Sequence, residues 1–159
     1  MEYQVFMIRF STKYKATIDD KGRIVLPSAF KKTMGGEALN PLAIEMDVFL
    51  NCLNIYPESQ WNTKVEEIES KLNQFDEGDI ELLEQFYENF TTVRMAENGR
   101  INILPDFLEH ANLKKEVVLV GMGKLIRLWD AGEYEKRRQS RKPLRDMYKE
   151  KLGNKPEAD

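Results

Sequence analysis

Two short turns hold the side chains best suited to chemistry. Ile18-Asp19-Asp20-Lys21-Gly22-Arg23 and Met95-Ala96-Glu97-Asn98-Gly99-Arg100 each set an arginine directly after a glycine. Glycine takes the positive φ that a tight turn needs, and at Gly22 it would also let the backbone approach a phosphate closely. Lys21 and Arg23 then stand as two cations on a rigid β-hairpin. The planar guanidinium fork suits guanine edges or phosphate oxygens in a way that an ammonium group does not. Arg9, Lys13 and Lys15 lie near in sequence and would add salt-dependent, sequence-independent contact with phosphate. Asn98 and Arg100 are the counterparts in the second turn. The plainer alternative is that Asp19 and Arg23 form a surface ion pair of small consequence.

Enzymatic chemistry has little to work with. His110 is the sole histidine and Cys52 the sole cysteine, so neither a histidine-centred triad nor a cysteine-cluster metal site is expected, and no internal disulfide can form. Cys52 starts an apolar strand without a basic neighbour and reads as a small core residue. The chain has no Gly-x-x-x-x-Gly-Lys-Ser/Thr loop, and Gly121-Met122-Gly123 reads as a hairpin turn. The expectation is a protein with no catalytic residue, metal, cofactor or small-molecule substrate.

The elements that must position these turns are written twice. Ile18 to Phe30 returns as Met95 to Leu108, with Gly-Arg on Gly-Arg and proline on proline after one extra residue. Leu53 to Trp61 likewise returns as Ile126 to Tyr134 in its apolar and aromatic positions. In each copy a strand (Tyr14 to Thr17; Thr92 to Met95) leads through the turn to a return strand (Arg23 to Leu26; Arg100 to Leu104). Pro27 or Pro105 then ends the ladder and opens a short helix. Two more strands follow, Leu42 to Val48 with Cys52 to Tyr56, and Glu116 to Gly121 with Leu125 to Trp129. The pattern predicts two interlocking hairpin sets that close a small barrel and remove exposed strand edges. Tyr56, Trp61, Trp129 and Tyr134 recur at equivalent places and are expected in the barrel core.

A helix trails each unit. Trp61, Val65, Ile68, Leu72 and Phe75 form one apolar stripe, and a second helix is expected over Asp79 to Asn89 with Leu83, Phe86, Tyr87 and Phe90 inward and Gly78 between the two. Ala131 through Leu152 reads as helical and basic, broken at Pro143, with Asn154 to Asp159 frayed. The divisions are 1–57 for the first unit, 58–90 for a helical hairpin, 91–130 for the second unit and 131–159 for the tail.

Charge follows the same divisions. The net charge is only −3, but Met1 to Gly36 carries seven basic residues against three acids, Glu58 to Asn89 ten acids against two basic residues, and Lys124 to Lys155 eleven basic residues against five acids. Such separation allows a basic face and an acidic face, or simply solvated helix surfaces. With 42% hydrophobic and 32% charged residues the chain is of ordinary globular composition. No run approaches the roughly 20 apolar residues of a membrane span, and Met1 to Phe10 is too broken for a secretory signal, so a reducing cytoplasm is expected.

With both turns and both aromatic tails in register, the chain resembles the MraZ family. Ile18-Asp19-Asp20-Lys21-Gly22-Arg23 with Pro27, Cys52-Leu53-Asn54-Ile55-Tyr56-Pro57 with Trp61, Asn98-Gly99-Arg100-Ile101, Val117-Val118-Leu119-Val120-Gly121 and Leu128-Trp129 carry the likeness over roughly Tyr14 to Tyr134. The resemblance implies an α+β fold, a tandem-duplicated AbrB-like swapped-hairpin β-barrel with flanking helices. It implies a ring-shaped homo-oligomer on the nucleoid, binding double-stranded DNA at repeated boxes upstream of cell-division and cell-wall genes, its own included. The family's Asp-x-x-x-Arg contact motif falls on Asp19 and Arg23. In the second unit Arg100 is kept, but Ala96 replaces the acid. Two other readings stay open: an oligomeric interaction protein of the same fold without DNA binding, favoured by Ala96 and the acidic middle segment, and a toxin-pair antitoxin, which the duplication disfavours.

Overall fold

Period-two alternation along short strands, each with one apolar face, sets the architecture. The computed structural model of the protein describes residues 7–153. Its first half runs β1 (Lys13–Thr17), β2 (Arg23–Val25), α1 (Ser28–Met34), β3 (Leu42–Met46), β4 (Leu53–Tyr56), α2 (Glu58–Ser70) and α3 (Glu77–Glu88). The second half repeats the order as β5 (Phe90–Val93), β6 (Arg100–Asn102), α4 (Pro105–His110), β7 (Glu116–Met122), β8 (Leu125–Asp130), α5 (Ala131–Ser140) and α6 (Leu144–Tyr148). A 3-10 turn spans Gly35–Leu39 and a π turn spans Lys149–Gly153.

The two halves exchange strands. One antiparallel sheet runs β1-β7-β8-β4-β3-β5, and β2 and β6 form a separate two-stranded ribbon. The first unit's β1 therefore lies on β7 of the second, from Lys13 opposite Val120 to Thr17 opposite Glu116. The second unit's β5 lies on β3 of the first, from Leu42 opposite Val93 to Glu45 opposite Phe90. The expected ladder from Tyr14–Thr17 to Arg23–Leu26 is accordingly corrected. Within the first unit it shrinks to one bridge between Ile18 and Ile24, with the Asp19 N–H donating to the Arg23 carbonyl. Gly22, at φ +78°, turns the chain off the sheet, and β2 finds its partner in β6. Barrel closure is corrected as well: β1 and β5 end an open sheet. The ribbon lies over the sheet's inner face and adds Ile24 and Ile101 to its core.

Alternation fixes what each face of the sheet covers. Leu42, Ile44, Leu53, Ile55, Leu119, Ile126 and Leu128 point into the main core with Phe30, Met34 and Phe107 from the short helices. Ala43, Glu45, Asn54, Tyr56, Val118, Arg127 and Trp129 fall between them and face the other side. The recurrent aromatics are therefore outside the main core, where they seal helices onto the sheet. Trp61 packs with Ala43 and Tyr56, and Tyr134 stands beside Trp129 with 6.5 Å between ring centroids. The same face buries a polar network. Asn54 donates to Glu45 and Asp47 at 3.0 Å each, Lys64 meets Glu45 at 2.6 Å, and Arg127 reaches Asn54 and Asp47 at 3.3 Å. Burial pushes the Asp47 carboxyl up, but the Asn54 amide and the Leu50 and Phe49 N–H groups outweigh it and hold the acid below the usual carboxylate range.

Helix boundaries depart from the periodic pattern in three places. First, α2 ends at Ser70, so Leu72 and Phe75 lie in the connection, and Phe75 is 86% exposed. Second, Gly78 does not separate the helices: it sits in the first turn of α3, started by Asp76, whose carboxylate accepts the Asp79 N–H. Third, Tyr87 points outward and donates its hydroxyl to Glu69 of α2, while Leu83, Phe86 and Phe90 are half-buried as expected. The second-copy strand expected over Thr92 to Met95 is found at Phe90–Val93, paired with β3. Pro143 does divide the basic tail, as N-cap of α6. The expectation for Asn154 to Asp159 falls outside the described residues, as does most of that for Met1 to Phe10.

Candidate nucleic-acid interface

The ribbon brings the two arginines together. Arg23 pairs with Asn102, Ile24 with Ile101 and Val25 with Arg100. Directly paired residues in an antiparallel ladder share a face, so Ile24 and Ile101, each 1% exposed, point inward. Arg23, Val25, Arg100 and Asn102 consequently point outward together. Arg23 and Arg100 sit on a diagonal, about 7–8 Å apart at the backbone, on the order of two base steps along a DNA strand. Reciprocal hydrogen bonds fasten the ribbon's ends: the Leu26 N–H donates to Gly99 O and the Ile103 N–H to Gly22 O, both at 2.8 Å.

Asp19 organises the first turn. Its Oδ1 accepts the Lys21 and Arg23 N–H groups at 2.9 Å, and its Oδ2 accepts Arg23 Nε at 2.7 Å. The Arg23 N–H has the largest influence on the Asp19 carboxyl; desolvation opposes it, but with the Arg23 guanidinium and the Lys21 N–H added the carboxyl is held below its ordinary 3.8. Among the described residues only Nε is engaged, and none holds the outer nitrogens of the guanidinium. A depressed carboxylate pKa keeps this lock intact above the ordinary acid range, and it is lost as pH falls through and below that range. Any affinity that depends on Arg23 should therefore be flat from about pH 6 to 8. Asp19→Ala at neutral pH should weaken binding less than Arg23→Ala; titrated binding curves of the two variants check both statements.

The second turn keeps the backbone and lacks the lock. The Ala96 N–H donates to Arg100 O at 2.9 Å and the Gly99 N–H to Ala96 O at 2.8 Å, matching the first turn. Asn98 Oδ1 accepts the Arg100 N–H at 3.0 Å, taking over one bond that Asp19 makes. No side chain among the described residues holds the Arg100 guanidinium. Lys31 of α1 donates to Glu97 O at 3.0 Å, adding a cation beside this turn.

Other expected contacts fall elsewhere. Lys13 and Lys15 alternate with Tyr14 and Ala16, which pack on the core, so both lysines point to the sheet's opposite face. There they line a hollow with Tyr134 and Arg138 of α5, and Lys13 lies over the Tyr134 ring. Gly22 is buried, and a Cβ on it would stand 2.8 Å from the Ile103 carbonyl oxygen. It sits beneath the ribbon's end, where its carbonyl accepts the Ile103 N–H. Val25 and Asn102 share the outward face without being marked by the turn motif. The alternation of Arg23-Ile24-Val25 signals Val25, whereas only the cross-unit register reveals Asn102.

Lone reactive groups are held in packing roles. Cys52 is fully buried, and burial above all raises its thiol to about 11. His110 is half-buried, with Nε2 3.3 Å from Leu50 O. Among the described residues no group of three ligand side chains could hold a metal ion, and no helix is long and apolar enough to cross a membrane.

A duplicated, strand-exchanged α+β chain that presents two arginines on one face of a cross-unit ribbon defines a class of tandem-repeat protein. The family described as "MraZ protein, putative antitoxin-like" matches residues 10–82 and 86–154, once for each repeat. A protein of Christiangramia forsetii named transcriptional regulator MraZ is 32% identical over 149 residues, covering 93% of this chain and 96% of the relative. Proteins of the same name from Bacteroides thetaiotaomicron and Legionella pneumophila are each 32% identical, over 77% of this chain and 79% and 80% of their own lengths. The chain belongs to the MraZ family.

Proposed function

We propose that this protein is a sequence-specific DNA-binding transcriptional regulator that lays the β2–β6 ribbon in the major groove of double-stranded DNA. The carrying observation is the shared outward face of Arg23, Val25, Arg100 and Asn102. A two-stranded ribbon fits that groove, arginine is suited to guanine edges, and asparagine is suited to adenine. Lys21 and Asn98 stand on the two turns and supply backbone contacts, and Gly22 contributes by keeping the first turn tight. Lys13 and Lys15, on the sheet's other face, belong to a phosphate-contacting set only where DNA passes that side. The names of the relatives support this reading.

The finer picture is of the same origin. The exchanged strands and the ribbon form an AbrB-like swapped-hairpin arrangement within one chain, its six-stranded sheet left open. Copies assemble as a ring-shaped homo-oligomer, so that several ribbons meet repeated promoter boxes and modest single-ribbon contacts multiply. The boxes lie upstream of cell-division and cell-wall genes, the protein's own included, and the protein works in the cytoplasm on the nucleoid. It has no catalytic role and takes no cofactor or small-molecule substrate.

A second reading, an interaction protein of this fold without DNA binding, is favoured by the acidic α2–α3 segment and by Ala96. Trp61 and Phe86 seat that segment against Ala43 on the outer face of the sheet, whereas the ribbon covers the inner face. The acids therefore do not oppose DNA at the ribbon.

The deciding experiment is a salt titration of binding to DNA upstream of the protein's own gene. Tight binding that weakens steeply with salt is expected, with a slope near 0.9 for each phosphate neutralised. A folded protein that binds nothing at low salt establishes the interaction-protein reading instead.

A further inference from the structure

The helices that trail the two repeats are counterparts that end differently. In the first repeat α3 returns to α2, and Phe86 stacks on Trp61 with 5.6 Å between ring centroids. In the second repeat every residue from Glu135 to Gly153 is exposed. Yet this arm is patterned for burial. Leu144, Met147, Tyr148 and Leu152 follow at spacings of three, one and four, a helical stripe left 70%, 41%, 57% and 59% exposed. Arg141, Lys142, Arg145, Lys149 and Lys151 outnumber Asp146 and Glu150 around that stripe, and Lys142 is paired with Glu150 at 2.9 Å, which leaves the arm net positive.

The complementary surface lies on the first repeat. A hollow of about 800 Å³ opens between the α2–α3 hairpin and the end of the sheet. Ile68, Leu72, Leu82 and Phe86 line it with apolar surface, and Glu81 and Lys71 line it as well. Leu82 is 49% exposed, and neighbouring Ile80 on α3 is 46% exposed. The two helices that carry the hollow hold most of the ten acids between Glu58 and Asn89, against Lys64 and Lys71 alone, and Lys64 is already paired with Glu45. Lengths agree too: Leu144 to Gly153 spans about 15 Å as helix, and α3 about 18 Å.

We propose that the Leu144–Gly153 arm of one copy docks, apolar stripe inward, in the α2–α3 groove of a second copy, with its basic residues against the hairpin's carboxylates. The proposal rests on the homo-oligomer reading above and names the surfaces that build it. Arm and groove are different surfaces, so the contact is head-to-tail, and every copy both gives and receives an arm.

The test compares solution masses by light scattering without DNA, beside circular dichroism, for the full chain and four variants. The first is Leu144→Asp with Met147→Asp, on exposed positions that leave the fold intact. The second is Arg145→Glu with Lys149→Glu, the third Glu81→Lys with Glu84→Lys, and the fourth combines both reversals. The expected result is an oligomeric parent, at least a halving of mass in the first three variants, and recovery of the parental mass in the fourth. Unchanged mass in the first two variants, from an oligomeric parent, overturns the arm while leaving the oligomer. An arm variant that keeps its mass but loses DNA binding assigns the arm to DNA and overturns the proposal. A monomeric parent overturns both the arm and the oligomer reading.

Discussion

Arg23→Ala should lower affinity for the cognate promoter DNA by about 30- to 150-fold, and Arg100→Ala by only about fivefold. The ribbon presents both arginines on one face, so the difference comes from what holds each of them. Asp19 fixes the Arg23 Nε at 2.7 Å and ties the backbone of the same turn at 2.9 Å. On the proposed reading that guanidinium would meet DNA already oriented. Arg100 stands opposite Val25, with Ala96 where the acid would be, and must give up rotamer freedom on binding, a cost of about 0.5–1.5 kcal/mol. The measurement is fluorescence anisotropy at one fixed salt concentration, with circular dichroism showing each variant folded. Restoring the acid with Ala96→Asp should tighten binding severalfold. Equal losses at the two arginines would mean that the acid does not matter for contact.

Gly22→Ala should destabilise the fold by about 2–4 kcal/mol, whereas Gly123→Ala should cost only about 1 kcal/mol. Both glycines have positive φ, +78° and +70°, so both substitutions carry backbone strain. Only Gly22 also meets an obstacle. A new methyl there stands 2.8 Å from the Ile103 carbonyl oxygen, while among the described residues nothing lies within 4 Å of one at Gly123. The obstacle is backbone of the other repeat, and the Gly22 carbonyl accepts the Ile103 N–H beside it, so relief would loosen the ribbon. Urea denaturation at neutral pH separates the two variants. Equal midpoints would show that Ile103 yields freely and that the ribbon is not rigid.

Gly22 also shows where the sequence was legible and where it stopped. The repeat, the strand order within each unit, the turn glycines and the proline starts of α1 and α4 follow from local rules that need only neighbouring residues. Strand exchange does not: Tyr14-Lys15-Ala16 has the same alternation whether its partner is β2 or β7, and only the three-dimensional path decides. The turn motif marks Arg23 and Arg100, yet it does not show that they share one face, because that depends on the register of Val25 with Arg100. Lys13 and Lys15 lie near Arg23 along the chain but on the sheet's opposite face, a placement that nearness in sequence does not reveal. Phe75 and Tyr87 continue an apolar period past the point where Asp76 and the Tyr87 hydroxyl find polar partners.

Joining both repeats in one chain has a further consequence for reading DNA. Two identical subunits related by a two-fold axis meet DNA as equals and favour palindromes. Here the two turns are encoded separately, and they have diverged: one carries Asp19 beside Arg23, the other Ala96 beside Arg100. The ribbon thus has one end with an anchored arginine and one without, and on the proposed DNA reading the anchored end would be the stronger. On the proposed reading a duplex lying along it would be read in one direction, and successive sites would follow each other head to tail.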